Sequence, residues 1–263
     1  MTNHQDTEEK LAASLTAETA ELLPYLAYLL QDIYELGSDP RLMTQLIRTH
    51  ISEPEKCKAL DLGCGKGAVS IEIAQQLGMK VHGSDLLPDF IKEARRTAEK
   101  CQVDHLCSFA VEDVNQTVQK ERGYDVAILG AIGNVLGEPL EMLNKVKQVV
   151  KPQGYLLLDD GYLAGQSENV RYQNYEYLTL EQWNETFAEA GFNVLALTNA
   201  AEASDEQAVN DRNNQLIRQR AEELSSLEPQ KRPLFFDYVK SQENESEDLV
   251  TDVVGATWLL QRK

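Results

Sequence analysis

Positive charge is scarce in this chain: 25 Lys and Arg stand against 43 Asp and Glu, a formal net charge of −18. No dense Lys/Arg cluster interrupts that balance. A sequence-independent grip on nucleic acid or on an anionic membrane needs basic surface, so neither partner is expected. Cysteine is scarce too. Cys57, Cys64, Cys101 and Cys107 form no C-x-x-C pair. That leaves out the ligand spacing of structural zinc sites, and the four read as reduced thiols of a cytoplasmic protein. Apolar runs are short, such as Y-L-L-L at 155–158, whereas a membrane helix needs about 18–20 residues. The opening M-T-N-H-Q-D-T-E-E-K has no basic stretch followed by an apolar one, so no secretory signal is expected. No internal repeat stands out. The remainder is ordinary: 42% hydrophobic residues over 263 positions, enough for one large domain or a domain with an added cap.

Residues 1–50 carry helical signals. Leu and Ala are dense over 11–36, with Pro24 at a start or kink, and Ser38 or Asp39 caps a further helix with Pro40 at its first position. From Lys58 the period changes. K-A-L-D-L (58–62) reads as a buried strand, and Val69, Ile73 and Leu77 at i, i+4 and i+8 predict a helix from near Lys66. Further strands are expected at 79–85, 106–113, 124–132, 155–160 and 192–200, with P-Q-G (152–154) as a turn. Helices are expected at 88–102, 138–150 and 179–191. Strands apolar through most of their length, separated by helices, describe a parallel sheet covered on both faces. Residues 201–248 break the rhythm and read as a helical insertion over one end of the sheet. Phe235, Phe236 and Tyr238 either line a pocket there or dock the insertion. The acidic S-Q-E-N-E-S-E-D (241–248) reads as a solvated segment, and a last strand is expected over 249–263.

The informative stretch is L-D-L-G-C-G-K-G-A (60–68), with glycines at 63, 65 and 67. A phosphate-binding G-x-x-x-x-G-K-[ST] loop fails here, because Asp61 replaces its first glycine and Gly67 its Ser/Thr. The dinucleotide pattern G-x-G-x-x-G/A is met by Gly63, Gly65 and Ala68, with Asp85 about 20 residues on. Alone, that match selects no ligand.

Five motifs in order carry a more specific resemblance: A-L-D-L-G-C-G-K-G-A (59–68), G-S-D-L-L-P-D-F-I (83–91), V-E-D-V-N-Q (111–116), Y-D-V-A-I-L-G-A-I-G-N-V-L-G (124–137) and V-K-P-Q-G-Y-L-L-L-D-D (150–160). Over 58–160 the chain resembles the class I adenosyl-methionine-dependent methyltransferases. The resemblance implies a seven-stranded, mostly parallel, doubly wound α/β sheet of the Rossmann-like methyltransferase type, with an antiparallel last strand. It divides the chain into an N-terminal helical cover (1–50), a cofactor-binding core (51–200), a helical insertion acting as a cap (201–248) and a final core strand (249–263).

It also implies the cofactor, S-adenosyl-L-methionine, and its contacts. Gly63, Cys64, Gly65 and Gly67 would let backbone approach the methionine part, since glycine tolerates the tight turn. Asp61 would favour the cofactor's cationic groups. Asp85 would accept both ribose hydroxyls, a bidentate use of a carboxylate, with Leu86 over one adenine face. Glu112, Asp113 and Val114 would meet the adenine edge, Gly130 would close the strand-four side, and Tyr34 would act as a lid. Each acid also has a structural alternative: Asp61, Asp85 and Asp113 could each cap the helix or turn that follows, Cys64 could be only a small residue in a tight turn, and His50 a helix-end residue.

Methyl transfer is an in-line displacement that needs mainly proximity and alignment, and a base only for a protonated acceptor. Asp160 and Tyr162, after strand five, are the catalytic candidates. No resident metal is expected. With the acidic charge, a small-molecule acceptor is expected, and a homodimer is the assembly to test. Removal of 201–248 is expected to leave the nucleoside site intact. Three rivals stay open: an NAD-type oxidoreductase, a relative using a carboxylated cofactor held by Arg171 or Arg212, and a silent nucleoside-binding interaction protein.

Overall fold

Alternating apolar residues bring seven strands together: β1 (Lys58–Leu62), β2 (Lys80–Asp85), β3 (Cys107–Val111), β4 (Tyr124–Gly130), β5 (Val150–Leu163), β6 (Phe192–Asn199) and β7 (Val253–Arg262). They form one sheet of order β3-β2-β1-β4-β5-β7-β6 in a computed structural model that describes residues 2–164, 170, 176–199 and 206–263. β1 to β5 pair in parallel, and β7 runs antiparallel to both β5 and β6. The expected sheet is borne out, antiparallel last strand included.

Period-two alternation sends neighbouring residues to opposite faces. On one face Leu60, Leu62, Leu129, Leu156 and Leu158 pack under α6 (Val114–Lys120), α7 (Pro139–Val149) and α8 (Leu180–Ala190), with Trp183, Phe187 and Trp258 at the centre. On the other, Ala59, Val126, Ile128 and Leu157 meet Met43 and Ile47 of α3 (Pro40–His50) and Ile73 of α4 (Ala68–Leu77). α5 (Pro88–Lys100) covers the β3 end through Ile91 and Ala94 against Phe109.

A second apolar cluster sits outside these layers. It joins α1 (Thr2–Ser14), α2 (Leu23–Leu29), α9 (Glu206–Leu227) and α10 (Arg232–Thr251), through Ala12, Leu26, Leu29, Ile217, Ala221 and Phe235, with Phe90 of α5 as its floor. Polar bonds reinforce it: Arg220 donates to Asp32 at 2.6 Å, Tyr25 to Glu228 at 3.0 Å and Thr16 to Glu245 at 2.5 Å. The N-terminal cover and the insertion are therefore one cap with a common core. α3 is not part of it; its Pro40, capped by Asp39, starts a helix of the sheet layer.

Several boundaries move. The stretch at 249–251 belongs to α10, not to the last strand: its β-branched residues read as strand, but Thr251 Oγ1 donates back to the Glu247 carbonyl and the Asp252 N–H to Asp248. β5 starts at Val150 and runs through the expected P-Q-G turn as a bulged strand, with Gln153 at φ +63. The acidic 241–248 segment is a helical face of α10 against the cap, with Ser241 and Asp248 buried, not a solvated surface stretch. Phe235 and Tyr238 are buried in the cap, and Phe236 packs against it beneath Arg232 at 4.1 Å, so all three dock the insertion. His50 lies exposed at the end of α3. Arg171 lies outside the described residues.

Candidate functional site

The site begins where β1 ends. The Gly63 and Cys64 N–H groups both donate to the Ser84 carbonyl of β2, at 2.8 and 3.0 Å. This folds the glycine turn across the C-terminal edge of the sheet, where open α/β sheets place ligands. Gly63 has φ +72, and a Cβ there would stand 2.6 Å from Ile132, so neither the conformation nor the space admits a side chain. Gly67 serves packing instead: at φ +80 it begins α4, and a Cβ would press on Ala94 and Phe109 at 3.0 and 3.1 Å.

Three acids approach the turn from successive strands. Asp85, 8% exposed at the end of β2, accepts from Gly65 N–H and Leu87 N–H, both at 2.9 Å. It orders the turn and the entry to α5 at once, and each oxygen keeps a second lone pair. Burial raises its pKa against those bonds. Asp61 is buried beneath the turn and accepts from Ser70 Oγ at 2.6 Å. Burial pushes it up to about 6, opposed by the Ser70 bond and helped by the nearby Asp85. Asp113 caps α6, accepting from Asn115 N–H at 2.8 Å. The cap reading and the ligand reading of Asp113 are compatible, because one carboxylate has lone pairs for both.

Asp85 and Asp113 border a cavity holding about 600 Å³ of empty space, counting that open to solvent. Of the residues expected at the cofactor, Gly63, Gly65, Asp85, Leu86, Asp113, Val114 and Gly130 stand on its wall. Leu11, Ser14 and Leu15 of the α1 region, with Leu36, Phe90, Ala131, Ile132 and Val135, complete it. Ala131, Ile132, Val135 and Phe90 fall within the quoted motifs without having been singled out, whereas sequence spacing had no signal for Leu11, Ser14, Leu15 and Leu36. Among the described residues, the lining includes two carboxylates and no Lys or Arg.

The other expected site residues lie elsewhere. Cys64 is buried against Gly83 and Phe109, its thiol raised by burial and by Asp61, a small residue in a tight turn. Gly67 and Asp61 sit behind the wall. Glu112 is tied to Thr117 at 2.8 Å and to Lys120. Tyr34 is 37% exposed, and Leu36, two residues on, takes the wall position. Asp160 and Tyr162 share the strand face of Leu158: Tyr162 packs with Trp258 and donates to Asn199 at 3.4 Å, while Asp160 accepts from the Gly161 N–H at 2.6 Å. Neither reaches the cavity, because β5 continues past Asp160 in antiparallel register with β7 and keeps both side chains on the sheet's α8 face. Lys66 is the residue that sequence reasoning missed. It is 5% exposed, donates to the carbonyls of Leu30 and Ile33 at 2.6 Å each, and is brought by burial down to about 8.

The strand order, the antiparallel β7 and the glycine turn define a methyltransferase-type nucleoside-binding fold, distinct from the 3-2-1-4-5-6 all-parallel order of dinucleotide enzymes. A family model described as a methyltransferase domain matches residues 53–207, and the chain belongs to that family. The class I resemblance carried by the motifs is borne out. Among relatives, the ribosomal protein L11 methyltransferase of Cupriavidus metallidurans is 30% identical over 174 residues, covering 64% of this chain and 51% of its own length. The chain spans 35% to 54% of the length of the first relatives it matches. Two solved structures share the fold. One is a Geobacter sulfurreducens methyltransferase in complex with S-adenosyl-L-homocysteine (TM-score 0.77, 17% identity, 91% of this chain and 98% of that one). The other is a Thiobacillus denitrificans methyltransferase in the same complex (TM-score 0.73, 19% identity, 90% and 97%). Among the described residues, no helix is long and apolar enough to cross a membrane.

Proposed function

We propose that this protein transfers a methyl group from S-adenosyl-L-methionine to a small-molecule acceptor by in-line displacement. The observation that carries the reading is the cavity wall at the glycine turn: Asp85 and Asp113 face it, and among the described residues no lysine or arginine does. A dinucleotide's pyrophosphate would meet two carboxylates there without a cation. Adenosyl-methionine has no phosphate and brings a sulfonium and an ammonium into the same negative field. Asp85 accepts the ribose hydroxyls, Leu86 and Val114 flank the adenine, Asp113 accepts at its edge, and Gly63 and Gly65 admit the methionine part. Asp61 acts from beneath the turn, through Ser70 and the field it adds. Bound, the cofactor supplies the electrophilic methyl group; the chain aligns the acceptor and keeps water out with Leu11, Leu15, Leu36, Ile132 and Val135. Residues 51–200 with β7 are the catalytic core, and the cap forms the acceptor side. The free thiols fit work in the reducing cytoplasm.

Calorimetric titration with adenosyl-methionine, adenosyl-homocysteine and NAD tests the reading. Micromolar binding of the first two alone is expected; NAD binding alone would overturn it. A second reading, a protein acceptor, is favoured by the L11 methyltransferases among the relatives. Methyl incorporation from labelled cofactor, compared between a small-molecule fraction and a ribosomal protein fraction, separates the two. Sedimentation of the same sample reads the expected homodimer.

A further inference from the structure

The glycine turn carries a cation that cofactor binding leaves unused. Lys66 lies between Gly65 and Gly67, yet its ammonium turns to the carbonyl oxygens of Leu30 and Ile33, at 2.6 Å each, and lies 5.6 Å from the Phe90 ring centre. Leu30 closes α2, and its carbonyl also accepts from the Ile33 N–H at 3.0 Å, so Lys66 joins both ends of the turn that ends this helix. The same segment is held from its other side, where Asp32 accepts from Arg220 of α9 at 2.6 Å. Leu36 then packs back on the turn, 3.2 Å from where a Gly65 Cβ would stand, and lines the cavity. Residues 30–36 thus bridge the turn and the cap.

We propose that Lys66 is a positioning residue that couples cofactor binding in the glycine turn to closure of the helical cap, through its bonds to Leu30 and Ile33. It touches neither cofactor nor acceptor. A buried ammonium deprived of its acceptors is strongly unfavourable, so a shift of either the turn or the bridge strands the same charge. The two therefore move together. When a ligand orders Gly63 and Gly65, Lys66 orders residues 30–36, and Leu36 closes on the ligand. By linkage, a closed cap tightens cofactor binding to the same degree. The inference rests on the adenosyl-methionine reading above.

Hydrogen exchange of the full chain with and without adenosyl-homocysteine tests it, in the wild type, Lys66→Met and Lys66→Arg. In the wild type the ligand slows exchange at the Gly63 and Gly65 amides and also at Leu30, Gln31 and Ile33. Lys66→Met binds roughly tenfold more weakly and protects the turn alone. Lys66→Arg, which keeps charge and donors, restores protection of the bridge. Ligand protection confined to the turn in the wild type overturns the coupling even if Lys66→Met does not fold. So does a folded Lys66→Met variant that still protects residues 30–33. A wild type that binds no adenosyl-homocysteine removes the cofactor reading and the coupling with it.

Discussion

Asp85 and Asp61 belong to one turn and serve it differently. Asp85 faces the cavity with lone pairs to spare, so Asp85→Ala is expected to weaken adenosyl-homocysteine binding by about 1–3 kcal/mol, the size of a lost charged hydrogen bond. Unchanged affinity by calorimetry in a folded variant would remove the ribose assignment. Asp61 is buried and raised from 3.8 to about 6. A raised carboxyl supports the fold fully below its unfolded value and loses that support as pH climbs through about 6. Asp61→Asn cannot ionise. Its stability in urea should therefore gain on the wild type by up to about 3 kcal/mol between pH 4 and pH 7. A gap independent of pH would mean that Asp61 is not held protonated. Of the wall residues, Gly63, Gly65, Asp85, Leu86, Asp113, Val114 and Gly130 were legible because each falls in a motif at a strand end that resembles the methyltransferase family's. Leu11, Ser14 and Leu36 were not, because only the folded cap and the segment after α2 carry them to the turn. Lys66 was visible as a residue but not as a contact: its acceptors are backbone carbonyls some thirty positions upstream, and any sequence there would offer carbonyls.

Helices divide by which surface they bury, not by where they fall in the chain. α3 precedes β1 like α1 and α2, yet Met43 and Ile47 place it on the sheet. α9 and α10 come nearly last, yet they complete the cluster begun by α1 and α2. The insertion thus bears on the cavity wall, since the cluster it shares includes Ala12 and packs against Leu15, a wall residue. The sequence-based expectation that 201–248 could be removed without touching the nucleoside site is revised accordingly. Ala221 is fully buried in α9, and Ala221→Asp would place an unpaired charge in the cap. The two tryptophans, Trp183 and Trp258, stand in the sheet core, so their fluorescence reports the core and not the cap. The expected result is an unchanged tryptophan spectrum with adenosyl-homocysteine affinity lowered at least several-fold. Full affinity would show the cap to be independent of the site.

At the scale of the molecule, a net charge of −18 repels itself in the compact state. Raising sodium chloride from about 0.05 to 0.5 M shortens the screening length severalfold. The thermal midpoint should therefore rise by a few degrees; a flat response in scanning calorimetry would mean that paired charges already cancel the repulsion. The sheet, its layers and the glycine turn could be read along the chain because they rest on local physics: strand alternation, helical periodicity and backbone freedom at glycine act within a few residues. The strand motifs, met in order, were enough to name the family. The cap's common core, the turning of Asp160 and Tyr162 away from the cavity and the seating of Lys66 depended on tertiary structure. Each is a contact between segments far apart in sequence, decided by which surfaces meet and which buried polar groups find partners, and no local pattern encodes that choice.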